Sequence, residues 1–275
     1  MQRIVKGRTG LLRLPVDSSV TAGTLTLQRD KDDAVIVDAQ AVTVQAAEVT
    51  YSLPAQSDEA NLTALWTLTT GSGTNVVTEP VEIVSCETVS LDEVRLRRPL
   101  DDPNRYPDRI LLAARAQLEN ELSERAGVKF AGGEFTVTCD GNGQTDLFLT
   151  VGKPRTITSI TINDTALTSD QLAAVKVDER TGVVYYPNRF TAGRLNVTVT
   201  GVSGYAQPVG GLSSAMSKGI RYMVVDSPTL DRAISVSNND GTSENLVVAG
   251  LRGAIFAIPE LNTILESARL TYGIA

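Results

Sequence analysis

Asp30, Asp32 and Asp33 form the tightest acidic cluster of the chain, and carboxylates at that spacing are the ingredients of a calcium loop. The pattern fails, because neither the turn glycine nor the distal glutamate stands at the required offset. A solvated hairpin tip is the better reading. Asp140-Gly141-Asn142-Gly143 also offers oxygens to a cation, but asparagine and glycine are what a tight hairpin demands in any case. Gly201, Gly204, Gly210 and Gly211 straddle a strand-to-helix junction, where backbone amides can cradle a phosphate. No Lys-Ser or Lys-Thr follows in P-loop spacing, and Tyr205 and Pro208 interrupt the run, so a bend into a helix accounts for the glycines. Cys86 and Cys139 stand far apart with no CxxC spacing, which points to free thiols and to no zinc site. Histidine is absent, and with it go the commonest general base, the Ser-His and Cys-His nucleophile pairs and the usual transition-metal ligand. No pair of carboxylates is singled out for sugar hydrolysis. The expectation is a protein that is not an enzyme, with no catalytic, cofactor-binding or metal-binding residues.

With 275 residues, 42% hydrophobic and 21% charged, the chain can build two domains with separate cores. Its formal charge of -7 argues against a protein that grips nucleic acid by the phosphates, an affinity that comes from clustered Lys and Arg. No run reaches the roughly 18 apolar residues of a membrane span. Met1 to Gly7 leads into polar sequence instead of a signal-peptide core, so the protein is expected to remain in the compartment where it is made.

The strongest element is a helix from Asp108 to Arg125. Asp108 is placed to cap it, Ile110, Ala114, Leu118 and Leu122 recur every four residues, and Gly127 suits its left-handed end. Arg115, Glu119, Glu121 and Arg125 occupy the other face. A narrow apolar stripe on a charged helix needs a partner helix, in the same chain or in a neighbouring subunit. Within the chain, Ser213 to Val225 is the candidate, with Leu212, Met216, Ile220 and Met223 on one face.

Short alternating stretches flank the first helix. Before it come Thr24–Gln28, Ala34–Ala39, Val42–Val44, Val49–Leu53, Ala64–Thr69 and Val76–Val84, with Trp66 as the core aromatic. Their spacing is that of an immunoglobulin-like sandwich, without the disulfide that antibody domains carry. After it come Glu134–Cys139, Asp146–Val151, Ile157–Ile162, Val175–Val177, Gly182–Tyr186 and Arg194–Thr200. Between sandwich and helix lies a polar stretch, Ser90 to Arg105, read as a linker. Its Arg95, Arg97 and Arg98 form either a docking patch for carboxylates or a self-neutralising solvated connector, and the second reading is preferred. Pro259 suits the first turn of a last amphipathic helix carrying Ile258, Leu261, Ile264, Leu265 and Ala268. The fold class is thus α+β: a β-sandwich at 1–89, a linker at 90–105, and at 106–275 a small helical domain with an inserted antiparallel sheet and a C-terminal arm over 240–275.

The succession Ile110-Leu111-Leu112-Ala113-Ala114-Arg115, Leu118-Glu119, Ala126-Gly127-Val128 and Phe130, then Arg155 to Asn163 and Thr181 to Tyr185, resembles the head-to-tail adaptor proteins of long-tailed double-stranded DNA bacteriophages. Ser235 to Thr242 and Ala257 to Leu265 are similar to the ends of such adaptors from phages of actinobacterial hosts, with a departure at Phe256-Ala257, where that pattern has Thr-Gly. The resemblance covers residues 105–275, and the N-terminal sandwich lies outside it as an added decoration domain. It implies a structural virion protein in the neck, assembled in the host cytoplasm. The implied form is a homo-oligomer, a dodecameric ring, bound to the portal protein and receiving the next tail-side connector or stopper. Genomic DNA passes through the lumen without sequence-specific binding, and no cofactor or membrane is involved. Ile258, Leu261, Ile264 and Leu265 of the arm become portal-binding anchors, the alternative for the arm being a helix packed on its own domain, and Ile110, Ala114, Leu118 and Leu122 the inter-subunit helix packing.

One alternative is another tail-completion protein, and a different class of reading makes the sandwich a surface adhesin that binds a carbohydrate or a receptor. Aromatic residues are 5% of the chain and the first block holds only Tyr51 and Trp66, which is thin material for a sugar platform.

Overall fold

A computed structural model describes residues 2–45, 47–225, 235–237, 243–245, 256 and 258–268. Strands dominate and helices are few, so the protein is mixed α+β. In the first block the strands are β1 (Gln2–Val5), β2 (Gly10–Pro15), β3 (Val20–Arg29), β4 (Val35–Ala41), β5 (Thr43–Val44), β6 (Glu48–Leu53), β7 (Ala60–Thr70) and β8 (Gly73–Val84). One sheet runs β1-β8-β7-β3-β4 and another β2-β6-β5. Pairing is antiparallel except that β1 lies parallel to β8, from Gln2 opposite Val81 to Val5 opposite Val84.

Period-two alternation decides which side chains enter the core. Along β7, Ala60, Leu62, Ala64, Trp66 and Leu68 are buried while Asn61, Thr63 and Thr67 are not. They share one cluster with Leu12, Leu14, Val49 and Leu53 of the other sheet. The sequence reading missed β1 and β2. In β1 only Ile4 is buried, too little for an alternation to be visible, and a side chain on Gly10 would overlap Ile4.

The second block contains β9 (Gly133–Gly141), β10 (Asp146–Phe148), β11 (Pro154–Ile162), β12 (Thr165–Ala166), α1 (Ser169–Ala173), β13 (Lys176–Asp178), β14 (Val183–Tyr185) and β15 (Gly193–Ser203). Sheets of order β12-β11-β15-β9 and β10-β14-β13 enclose a second cluster, including Phe135, Leu147, Ile160, Val184, Phe190, Val197 and Val199. The helix α1 was not expected, although Thr168 and Gln171 form a complete capping box around its start.

The remaining helices are αA (Leu91–Arg95), αB (Asp108–Ala126), αC (Leu212–Val224) and αD (Pro259–Ala268), accompanied by a two-stranded ribbon, Ser235–Ser237 with Ser243–Asn245. Two compact units result: Met1–Cys86 with Ala131–Gln207, and Glu87–Phe130 with Pro208–Ala275. This division differs from the sequence boundaries at 1–89, 90–105 and 106–275, because the second β block clusters with the first and not with the helices. The stretch 90–105 is partly structured, with 101–105 exposed. Ser90 caps αA in a capping box, and Val94, Leu100 and Tyr106 are buried. Two arginines of this stretch are engaged within the unit: Arg95 donates to Leu100 O (2.5 Å) and pairs with Asp108, while Arg97 donates to Ser214 Oγ (2.9 Å); Arg98 stays 93% exposed, beside Asp101 at 3.9 Å. No helix among the described residues is long and apolar enough to cross a membrane.

Candidate functional site

The helical unit carries the residues singled out for assembly. The N-cap of αB is Pro107, which supplies no side-chain cap; Asp108, the expected cap, is turned to Arg95 instead. It ends at Gly127 with φ of 69°, the left-handed value expected of that glycine. Its buried residues are Leu111, Ala114, Leu118, Glu119, Leu122 and Ala126. Ala114, Leu118 and Leu122 are therefore buried within the chain, in a helix that packs against αC and αD. Ile110 faces outward. A constant step of four residues turns about 40° too far at each repeat. Over three steps Ile110 leaves the stripe and Leu111 enters it.

The residues read as arm anchors lie in the same packing. Leu261, Ile264 and Leu265 are buried and Ile258 half-buried, in a helix that packs on αB and αC. Leu261, Ile264 and Leu265 thus belong to the core of the helical unit. Of the arm over 240–275, only 243–245, 256 and 258–268 are among the described residues. At the unusual Phe256, the backbone N–H donates to Asn262 Oδ1 (2.9 Å), Asn262 Nδ2 returns a bond to Phe256 O (2.8 Å), and the Arg125 guanidinium lies 6.0 Å from the ring centre. An ion pair between Lys218 and Glu260 ties αD to αC, and the hydrogen bond from Lys218 lowers the pKa of Glu260.

Sequence reasoning missed two features of this unit. A Cβ on Gly219 would lie 2.5 Å from Leu118 Cδ2, 3.4 Å from Leu261 Cδ1 and 3.7 Å from Ile258 Cδ1, so the glycine is where the three long helices converge. A glycine inside an amphipathic helix was the available signal. The second is a polar strap: Arg115 donates to Val89 O (3.1 Å) and pairs with Glu87 (3.5 Å), and buried Glu119 accepts from Thr88. Arg115 and Glu119 were read as part of an exposed charged face, yet both are occupied here.

Several apolar side chains remain outward in the helical unit. Leu96 is 82% exposed, and Ile110, Leu112, Tyr222 and Met223 are exposed as well.

In the sheet unit, a cleft of about 390 Å³ is lined by Lys6, Arg29, Lys31, Glu59, Glu134 and Arg155 among others. Glu59, whose side chain is 8% exposed, accepts from Ser85 Oγ (2.7 Å), Lys6 Nζ (3.0 Å) and Arg155 Nη2 (3.2 Å). Burial raises its pKa, but the hydrogen bonds from Ser85, its own backbone and Lys6, with the Lys6 charge, prevail and bring it to about 2. Glu134, 3% exposed, pairs with Lys31 (2.9 Å) and accepts from Asn61 N (3.2 Å). Ser85 beside Glu59 has the outline of a nucleophile and its base. A carboxylate with a pKa near 2 is too weak a base to take the hydroxyl proton, and Arg155 also donates to Ser85 Oγ (2.5 Å). The arrangement is an ion-pair network.

The aspartate cluster follows the same logic. Asp30 accepts from Thr63 Oγ1 (2.8 Å), Asp32 pairs with Arg29 (3.3 Å), and Lys31 between them reaches Glu134. Among the described residues no group of three or more Cys, Asp or Glu is placed to hold a metal ion. Cys86 and Cys139 are free thiols, as expected. No protein family matches the chain, and no curated protein matches it.

Proposed function

We propose that the chain is a head-to-tail adaptor of a long-tailed double-stranded DNA bacteriophage, a structural virion protein that forms a ring between the portal and the next tail-side connector. The observation that carries this reading is the order of its parts. Segments 87–130 and 208–275 make one helical unit, and the β block 131–207 is inserted between them in sequence, which is the helix, sheet, helix order of the adaptors it resembles. An acidic chain suits a channel for DNA, because dense cationic contacts would each add a salt-sensitive attraction.

With the helical stripes covered internally, ring contacts fall to the side chains left outside: Leu96, Ile110, Leu112, Tyr222 and Met223. Portal attachment through Ile258, Leu261, Ile264 and Leu265 requires αD to leave its packing first. The first block fits an immunoglobulin-like decoration domain. Its strand order, β1-β8-β7-β3-β4 over β2-β6-β5 with β1 parallel to β8, supports that assignment. Mixing the purified protein with its portal should give a stacked ring in negative-stain images. A protein that stays monomeric at high concentration and ignores the portal would overturn the proposal.

A further inference from the structure

The sheet unit holds two separate apolar cores. Buried residues from Ile4 to Ile83 form one and those from Phe135 to Val199 the other, with no residue in common among those described. The blocks meet through two backbone N–H groups, Ser85 N donating to Gly132 O (2.7 Å) and Asn61 N to the Glu134 carboxylate (3.2 Å), and through the charged cleft.

The ion pairs of the cleft are reciprocal. Glu59 of the first block takes Arg155 of the second, while Glu134 of the second takes Lys31 of the first. Lys6 and Ser85 complete the shell of Glu59, and Asn61 grips Glu134 twice, through its backbone N–H to the carboxylate and through Nδ2 to Glu134 O (3.3 Å). Gly132 is part of the design: a Cβ there would stand 2.5 Å from Tyr205 O and 2.9 Å from Arg155 Nη2.

We propose that this reciprocal pair of carboxylates is a releasable ionic latch, which holds the first block fixed on the second and frees it to swing about Ser85 and Cys86 when the pairs are broken. Blocks joined by a large apolar interface stay fixed, whereas a small polar joint leaves relative motion within reach. Each bridge here joins a buried carboxylate to a cation that is still partly in water. Lys31 retains 30% and Arg155 17% of their side-chain exposure, so salt reaches the joint without passing through either core.

The test is hydrogen–deuterium exchange on the full chain, wild type, Lys31→Gln and Arg155→Gln, together with the wild type in about 1 M salt. The latch requires exchange at the Ser85 and Asn61 amides, which donate across the joint, to rise by about tenfold or more, with Leu62, Trp66, Val197 and Val199 unchanged. The salt arm moves the same amides in the same direction and stands even where a variant folds poorly. Joint amides that keep their wild-type rates in both variants and in salt would overturn the latch. So would a uniform rise across both cores, which would mean a general loss of stability.

Discussion

Gly219 of αC and Leu118 of αB meet so closely that a Cβ built on the glycine would stand 2.5 Å from Leu118 Cδ2. Alanine in place of a helical glycine normally stabilises by about 1 kcal/mol. Here the sign depends on whether buried Leu118 can retreat, and the nearby Leu261 and Ile258 leave it little room. Gly219→Val should lower the unfolding free energy of the helical unit by about 1–3 kcal/mol through overpacking. Adding Leu118→Ala should return part of that loss, measurable by denaturant titration of the single and double variants. Equal stability of Gly219→Val and the wild type would show that the crossing is loose.

The core and surface leucines of the helical unit should behave oppositely. Leu261→Ala and Leu265→Ala remove buried side chains and should each cost about 2–5 kcal/mol. Leu96→Ser removes a side chain in water and should change stability by no more than about 0.5 kcal/mol. If ring contacts use the exposed set, Leu96→Ser and Tyr222→Ser should reduce self-association in mass photometry while thermal unfolding stays put. Self-association unchanged in both variants would remove these residues from the interface.

Acid should weaken the sheet unit through Glu59. Its folded pKa, about 2, lies below the ordinary 4.5, so its contribution is complete above pH 4.5 and is lost as pH falls from there toward 2. The contribution is on the order of a few kcal/mol, from about 1.4 kcal/mol per pKa unit. Glu59→Gln should flatten stability against pH across that interval, followed by tryptophan fluorescence of Trp66. An acid limb identical to wild type would reject the assignment.

Thr88→Ala should destabilise the helical unit by about 1–3 kcal/mol, because Glu119 is buried and loses a donor. Replacing Glu121, whose i,i+4 pair with Arg125 is exposed on both sides, should cost no more than about 0.5 kcal/mol. Comparable losses at Thr88 and Glu121 would count against a buried strap.

Local rules made much of this fold readable from the chain itself. Strand alternation around Trp66, the left-handed stop at Gly127, the hairpin turns and the apolar faces of αC and αD depend on residues within a few positions of each other, where sterics and periodicity act directly. The lack of histidine and of spaced cysteines likewise set expectations about chemistry without any coordinates.

Only the tertiary structure decided what the apolar faces cover and which charges meet. A stripe of leucines looks the same in sequence whether its partner is αC of the same chain or a neighbouring subunit, and here Leu118, Leu122, Leu261 and Leu265 are all met from within. Glu59 and Arg155 stand 96 positions apart, and Lys31 and Glu134 are farther apart still in sequence, yet packing makes each pair adjacent. Burial and long-range pairing are properties of the folded surface, since desolvation acts on whatever the chain happens to bring together, and no local spacing encodes that meeting.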